Sequence, residues 1–156
     1  MNKKFKIVSI FIVLVILLVG CNDKSAIIGE YHNFADYDFK GMDIMPYDNM
    51  SNMKRFSRSE AQEIYDYLLT IRSEESGMLT EDNTPAKPGV NPYYIIALYF
   101  EENDYSVTVG ENYILILLND AYDSVEEVSE NTRIHFVNEE IMNEFIEMIN
   151  SLINDN

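Results

Sequence analysis

The sequence predicts an α+β domain, in which a mostly antiparallel sheet of four or five strands is covered by about two helices. Two observations predict this class. Apolar residues alternate with polar ones along the middle of the chain, and two segments, 58–71 and 139–153, carry apolar stripes at helical spacing. Strands that follow one another after short turns are typical of antiparallel pairing.

The first part of the chain gives weak signals. Residues 22–38 have little periodicity and are interpreted as a tether that enters the domain, with Ile27, Ile28 and Tyr31 as a candidate edge strand. In 41–47, Met42 and Ile44 are in phase, which predicts a short strand limited by the proline that follows. The globular domain is therefore placed at 39–156.

Segment 58–71 is predicted to be a helix. Ser57 and Glu60 have the spacing of a capping box, in which each residue satisfies a backbone N–H group of the other. The apolar residues that follow lie on one stripe, namely Ala61, Ile64, Tyr65, Leu68 and Leu69. Three prolines and a glycine in 84–92 then predict a surface loop.

Residues 93–120 contain three β-rich runs separated by short polar turns. A four-residue loop at 101–104 would place Phe100 opposite Tyr105, and a two-residue loop at 110–111 would place Val107 opposite Ile114. One predicted face is plainly apolar and is assigned to the core. It comprises Tyr94, Ile96, Leu98, Phe100, Tyr105, Val107, Val109, Ile114, Ile116 and Leu118.

The opposite face of these strands, called here the second face, is also rich in apolar residues. It is predicted to carry Tyr93, Ile95, Ala97, Tyr99, Ser106, Thr108, Tyr113, Leu115 and Leu117. An antiparallel sheet usually exposes one face to water. The second face is therefore either covered by a helix as part of the core, or a binding surface formed by Tyr93, Tyr99, Tyr113, Leu115 and Leu117.

The carboxyl-terminal part predicts a strand followed by a helix. Residues 132–137 alternate, with Ile134 and Phe136 in phase, and Asn138 is placed to cap a helix over 139–153. The stripe of this helix comprises Ile141, Met142, Phe145, Ile149, Leu152 and Ile153.

The amino terminus has the layout of a secretory signal peptide. Three lysines precede the run from Ile7 to Val19, which is apolar apart from Ser9 and too short to cross about 30 Å of hydrocarbon. Leu18-Val19-Gly20-Cys21 resembles the lipobox of bacterial lipoproteins. An ordinary cleaved signal with an incidental cysteine, or an uncleaved anchor, is the alternative.

The lipobox resemblance implies that a diacylglyceryl group is attached to Cys21 and that residues 1–20 are cleaved off between Gly20 and Cys21. The protein would then be anchored on the extracytoplasmic face of a bacterial cell membrane. Two acyl chains give stable anchoring. Residues 21–38 would form the lipidated tether, and the order of elements after it is similar to that of small domains in lipoproteins of Gram-positive bacteria.

The acidic composition limits the partners. The formal net charge is −16 at pH 7, which disfavours nucleic acid and anionic lipid headgroups. A protein or other envelope component with a basic or apolar surface is compatible, although the charge could serve solubility alone. Cys21 is the single cysteine, so no disulfide can form within the chain.

No catalytic, metal or cofactor motif stands out in the sequence. His135 lies between Ile134 and Phe136 and points away from them, as structural or solvated histidines do, and its spacing from His32 is unlike that of a zinc site. The sequence therefore favours a non-catalytic binding module, including one with a protective or immunity role. The alternatives are an envelope hydrolase that uses carboxylates and His135, and a module that responds to cations through the acids of 120–130.

Overall fold

We describe the protein from a computed structural model, which covers residues 25–78, 92–101, 103–118 and 132–155. Four of the predicted features lie outside these ranges: the signal peptide, Cys21, most of the 84–92 loop and the acidic cluster of 120–130. In the described ranges the chain forms one mixed α and β unit with a single antiparallel sheet.

The sheet contains eight strands, all paired antiparallel, in the order β1-β4-β8-β7-β6-β5-β2-β3. The strands are β1 (Ala26–Ile27), β2 (Phe39–Pro46), β3 (Lys54–Ser57), β4 (Arg72–Met78), β5 (Tyr94–Phe100), β6 (Asp104–Val109), β7 (Tyr113–Leu118) and β8 (Thr132–Val137). The helices are α1 (Ile28–Tyr31), α2 (Arg58–Thr70) and α3 (Glu139–Asp155), and 3-10 turns cover Phe34–Asp36 and Tyr47–Asn52.

The α+β class is confirmed, but four or five strands and about two helices understate the fold. The candidate edge strand of Ile27, Ile28 and Tyr31 is a strand only at Ala26–Ile27 (β1), because Ile28–Tyr31 forms α1. Strand β3 is too short for a period to be read, and β4 (RSEESGM) is polar. Pairing of β4 with β1 and β8 imposes the extended conformation on that sequence, because strand propensity depends strongly on tertiary context.

Both long helices pack on the same face of the sheet. The predicted capping box is present at the start of α2, where the backbone N–H of Ser57 donates to Glu60. Ile64 and Leu68 of α2 and Phe145 and Ile149 of α3 belong to one buried cluster. The cluster also contains the predicted core face, with Ile96, Leu98, Val107, Val109, Ile114 and Ile116 all buried.

The two central hairpins differ in register from the prediction by two residues. Tyr105 pairs with Leu98 and not with Phe100, and Val107 pairs with Ile116 and not with Ile114. The loop between β6 and β7 is closed by the N–H of Gly110, which donates to the carbonyl of Tyr113. A shift of two residues keeps every side chain on its predicted face, because side chains alternate with period two.

The register of β8 decides which face of the sheet Ile134 and Phe136 occupy. Ile134 pairs with Leu115 and Phe136 with Tyr113, which places both side chains on the second face. His135 pairs with Ile114 and therefore lies on the helix-covered face. Alternation within one strand shows which residues share a face, but it does not show which face the helices cover.

The ordered domain also begins earlier than residue 39. Strand β1 pairs with β4, and α1 packs on α2 with Ile28 fully buried. Phe34 is fully buried as well, and its carbonyl accepts a hydrogen bond of 2.8 Å from the hydroxyl of Tyr65. We call residues 26–36 the amino-terminal segment.

Candidate functional sites: the second face and a buried histidine pair

The second face carries no helix among the described residues. Its centre contains half-buried apolar side chains in two groups, Leu115, Leu117 and Phe136 on β7 and β8, and Ile95 and Ala97 on β5, with Ser106 and Thr108 of β6 between them. Helix α2 lies on the other side, where the ring of Tyr65 stacks on Phe39 at 4.1 Å. Of the two alternatives for this face, coverage by helix 58–71 is therefore not what the structure shows.

The three predicted contact tyrosines have different environments. Tyr93 is exposed, with 48% of its surface accessible. Tyr99 is half-buried, and its hydroxyl donates to Asp43 at 2.8 Å. Tyr113 is buried, and its ring lies so close to Gly110 that a Cβ there would overlap it. Leu115 and Leu117 are half-buried, whereas Tyr113 is part of the packing of the β6–β7 loop.

Charge on the second face is partly compensated. Asp43 is almost fully buried and accepts two hydrogen bonds of 2.8 Å from Arg55. These bonds lower the pKa of Asp43 below its usual value, although burial acts in the opposite direction. Asp104, which pairs with Tyr99, and Glu75, which pairs with Phe136, also face this side. The apolar centre is therefore flanked by carboxylates.

A hydrogen-bonded pair of histidines, one half-buried and one fully buried, forms the second site. His32 and His135 are 103 positions apart, and their Nε2 atoms lie 2.8 Å from each other. His32 follows α1 and stacks on Phe34 with ring centres 5.2 Å apart, and His135 is fully buried. No local spacing could have revealed the pair, because the fold of the amino-terminal segment brings the two rings together.

A chain of hydrogen bonds continues from His135 through β4. Its Nδ1 atom lies 2.7 Å from the hydroxyl of Ser76, which lies 2.6 Å from that of Ser73. The Ser73 hydroxyl in turn donates to the carbonyl of Ala26 at 3.0 Å. This series of hydrogen bonds therefore connects β8, β4 and β1.

The direction of the protons in this chain follows from the carbonyl at its end. A carbonyl only accepts, so the proton of Ser73 points to Ala26 and Ser76 must donate to Ser73. His135 then donates to Ser76 through Nδ1–H, which leaves its Nε2 as the acceptor of an Nε2–H proton from His32. We infer this pair of neutral tautomers from the network.

In this arrangement His135 cannot act as a general base toward Ser76. Its Nδ1 atom carries the proton that Ser76 accepts, so the serine is not activated as a nucleophile. Burial lowers the pKa of His32 to about 3, with His135 and Arg133 adding to the effect. Burial, followed by the charge of Arg133, lowers the pKa of His135 to about 4.

An open cavity of about 450 Å³ lies beside His32 and is lined in part by Tyr31, Tyr37, Tyr105 and Arg133. Among the residues that the structure describes, no three side chains of His, Cys, Asp or Glu are grouped closely enough to hold a metal ion. Within the same ranges, the helices are too short or too polar to span a bilayer.

We compared the chain with protein-family models, with curated proteins and with solved structures, and none of the three comparisons gave a match. The function is therefore inferred from the residues and geometry of this chain alone.

Proposed function

We propose that this protein is a lipid-anchored extracytoplasmic lipoprotein whose domain binds a basic protein of the cell envelope through the second face of its sheet, without catalysis. The observation that carries the binding role is the placement of both long helices on the opposite face. The motif Leu18-Val19-Gly20-Cys21 supports the anchor.

The accessible centre of the second face suits a protein partner. Leu115 and Leu117 lie on the central strand β7, Phe136 extends their apolar surface onto β8, and Ile95 lies on the far side of Thr108 of β6. Half-buried leucines can still gain free energy by becoming fully buried, at about 25 cal/mol for each Å² removed from water. Partly accessible apolar side chains grouped in this way are typical of an interaction site.

The charges on and around the second face indicate which kind of partner would bind there. Asp104 and Glu75 face the same side as the leucines, Arg55 is engaged by Asp43, and the whole chain carries a net charge of −16. A partner with basic side chains around an apolar centre would be attracted by this surface, whereas an acidic partner or nucleic acid would be repelled. We therefore expect a basic protein.

A capture experiment with matched variants tests the binding face. The full-length protein, purified in detergent and immobilised, is exposed to detergent-solubilised envelope at low salt. We expect a basic protein to be retained, and the double variant Leu115→Thr, Leu117→Thr to bind it at least about tenfold more weakly, since about 1.4 kcal/mol of lost contact gives that factor. Threonine retains strand propensity while removing the apolar contact.

The control variant is Met50→Gln, Met53→Gln, which removes two exposed apolar side chains from the connection between β2 and β3. This variant should bind the partner as tightly as the native protein does. Higher salt should weaken the native complex. Amide exchange of β7 should slow when the isolated partner is bound. A partner that is acidic, or that is retained equally by the Leu115/Leu117 variant, contradicts the proposal.

A further inference from the structure

The amino-terminal segment is held on the domain by the buried side chains of Ile28 and Phe34 and by a small number of hydrogen bonds. Strand β1 makes only two residue pairs with β4, and the N–H of Ile28 donates to Ile71 at 2.9 Å. Phe34 is fixed through its carbonyl by Tyr65, and His32 bonds to His135. Among these attachments, the bond between His32 and His135 is one whose strength depends on the protonation state of both partners.

The surroundings of the two rings contain positive charge and neutral groups. From β8, Arg133 acts on both rings; from α1, the ring of Tyr31 lies 5.1 Å from each. Tyr37 and Tyr105 line the adjoining cavity. Strand β4 contributes the uncharged Ser73 and Ser76, and β7 places Ile114 opposite His135.

A proton on either ring destabilises the closed pair. His135 already donates through Nδ1, so a second proton would place its Nε2–H against that of His32 at 2.8 Å and break the bond. A second proton on His32, at Nδ1, would keep the donated bond but leave a half-buried cation that is repelled by Arg133. The same charge repulsion disfavours a divalent metal ion at this position.

We propose that the His32–His135 pair is a pH-sensitive latch, which holds the amino-terminal segment on the sheet while both rings are neutral and releases it when they take up protons. This inference goes beyond the proposed function and does not depend on it. If Cys21 is the anchor, the latch controls the stretch of chain that directly follows it, so release would let the domain move farther from the membrane.

Amide hydrogen exchange of the full-length protein in detergent tests the latch. Exchange of residues 26–36 is compared with that of β5 and β6 from pH 7.5 to 4.5, after correction for the intrinsic rate. Each proton taken up on opening should raise the opening equilibrium of 26–36 about tenfold per pH unit below pH 6.5. The central strands should stay protected through this range.

The variant His32→Phe keeps a ring that can stack on Phe34 but cannot be protonated. In this variant, opening of residues 26–36 should take up about one proton fewer than in the native protein. The control Tyr31→Phe, in the same segment, should keep the native pH dependence of opening. If the His32→Phe protein does not fold, nitrogen NMR of the imidazoles in the native protein replaces it. Both rings should then remain neutral at pH 5 in the closed state.

Three results would overturn the latch. They are protection of 26–36 that does not change with pH, loss of protection in 26–36 and the central strands together, and an imidazole that titrates near pH 6.5 while the segment stays closed. Stabilisation by Zn²⁺, Ni²⁺ or Cu²⁺ that is lost in His32→Phe would assign the pair to metal binding and overturn it as well.

Discussion

At the scale of single residues, Asp43 shows how a charge is kept inside this sheet. Its side chain is only 4% exposed, yet it accepts two bonds from Arg55 and one from Tyr99. The guanidinium also lies 5.8 Å above the ring of Tyr99. Each of these contacts of the carboxylate is charge-assisted or donated by a hydroxyl, so its burial is compensated.

We expect Asp43→Asn to lower the free energy of unfolding by about 1–3 kcal/mol, because hydrogen bonds to a buried charge are lost and Arg55 loses its counter-charge. The pKa of Asp43 is lowered in the folded protein, so this stabilisation is present above about pH 4. It is lost as the pH falls through the folded pKa. Urea unfolding at pH 7 and pH 3 measures both effects.

Asp38 provides the control for Asp43, because it is an exposed carboxylate that pairs with Lys40 and Arg58. Surface pairs contribute at most about 1 kcal/mol, so Asp38→Asn should change stability little. Equal effects of the two substitutions would show that the burial of Asp43 does not matter.

At the scale of elements, the contact between α1 and α2 depends on Gly29. A Cβ at this position would lie 2.7 Å from the carbonyl oxygen of Leu69 and 2.9 Å from its Cα, both of which are backbone atoms. Alanine is favoured over glycine in a helix by about 1 kcal/mol, but the backbone of α2 cannot yield as a flexible side chain would.

We therefore expect Gly29→Ala to destabilise the protein by about 1–3 kcal/mol, the usual cost of overpacking, with the largest effect on exchange in residues 26–36. Gly77→Ala is the control, because a Cβ on Gly77 meets nothing within 4 Å. It should be neutral or slightly stabilising in a strand. An unchanged urea midpoint for Gly29→Ala would contradict the close packing of α1 on α2.

The elements differ in how well they could be predicted from sequence. Helices α2 and α3 and strands β5 to β8 were found because each carries its own apolar period. Strand β4 carries none, and it is extended because β1 and β8 flank it. The structure of residues 26–36 likewise depends on what they pack against, which explains why the sequence alone predicts a tether there.

At the scale of the whole molecule, the sheet is asymmetric and its edges are short. Edge strands β1 and β3 contain two and four residues, which limits pairing with other chains. The helices cover one face, and β1 begins a few residues after Cys21. A lipid anchor at Cys21 would therefore be attached at the β1 edge of the sheet.

We expect Cys21→Ala to abolish incorporation of labelled fatty acid and processing to the shorter mature form, because the sulfur is the acceptor of the lipid in the proposed lipoprotein. Ser25→Ala, outside the lipobox, should be processed normally. Metabolic labelling and membrane fractionation in a bacterial host provide the measurement. Continued acylation of the Cys21→Ala protein would exclude the proposed anchor.

The sequence by itself determined the α+β class, the long helices and the two faces of the central strands. These properties depend on local periodicity, which a register shift of two residues does not change. Only the tertiary structure decided which face the helices cover, that β4 is a strand, and that His32 meets His135. Such contacts join residues far apart in the chain, and their positions depend on the packing of the whole sheet rather than on any short stretch of residues.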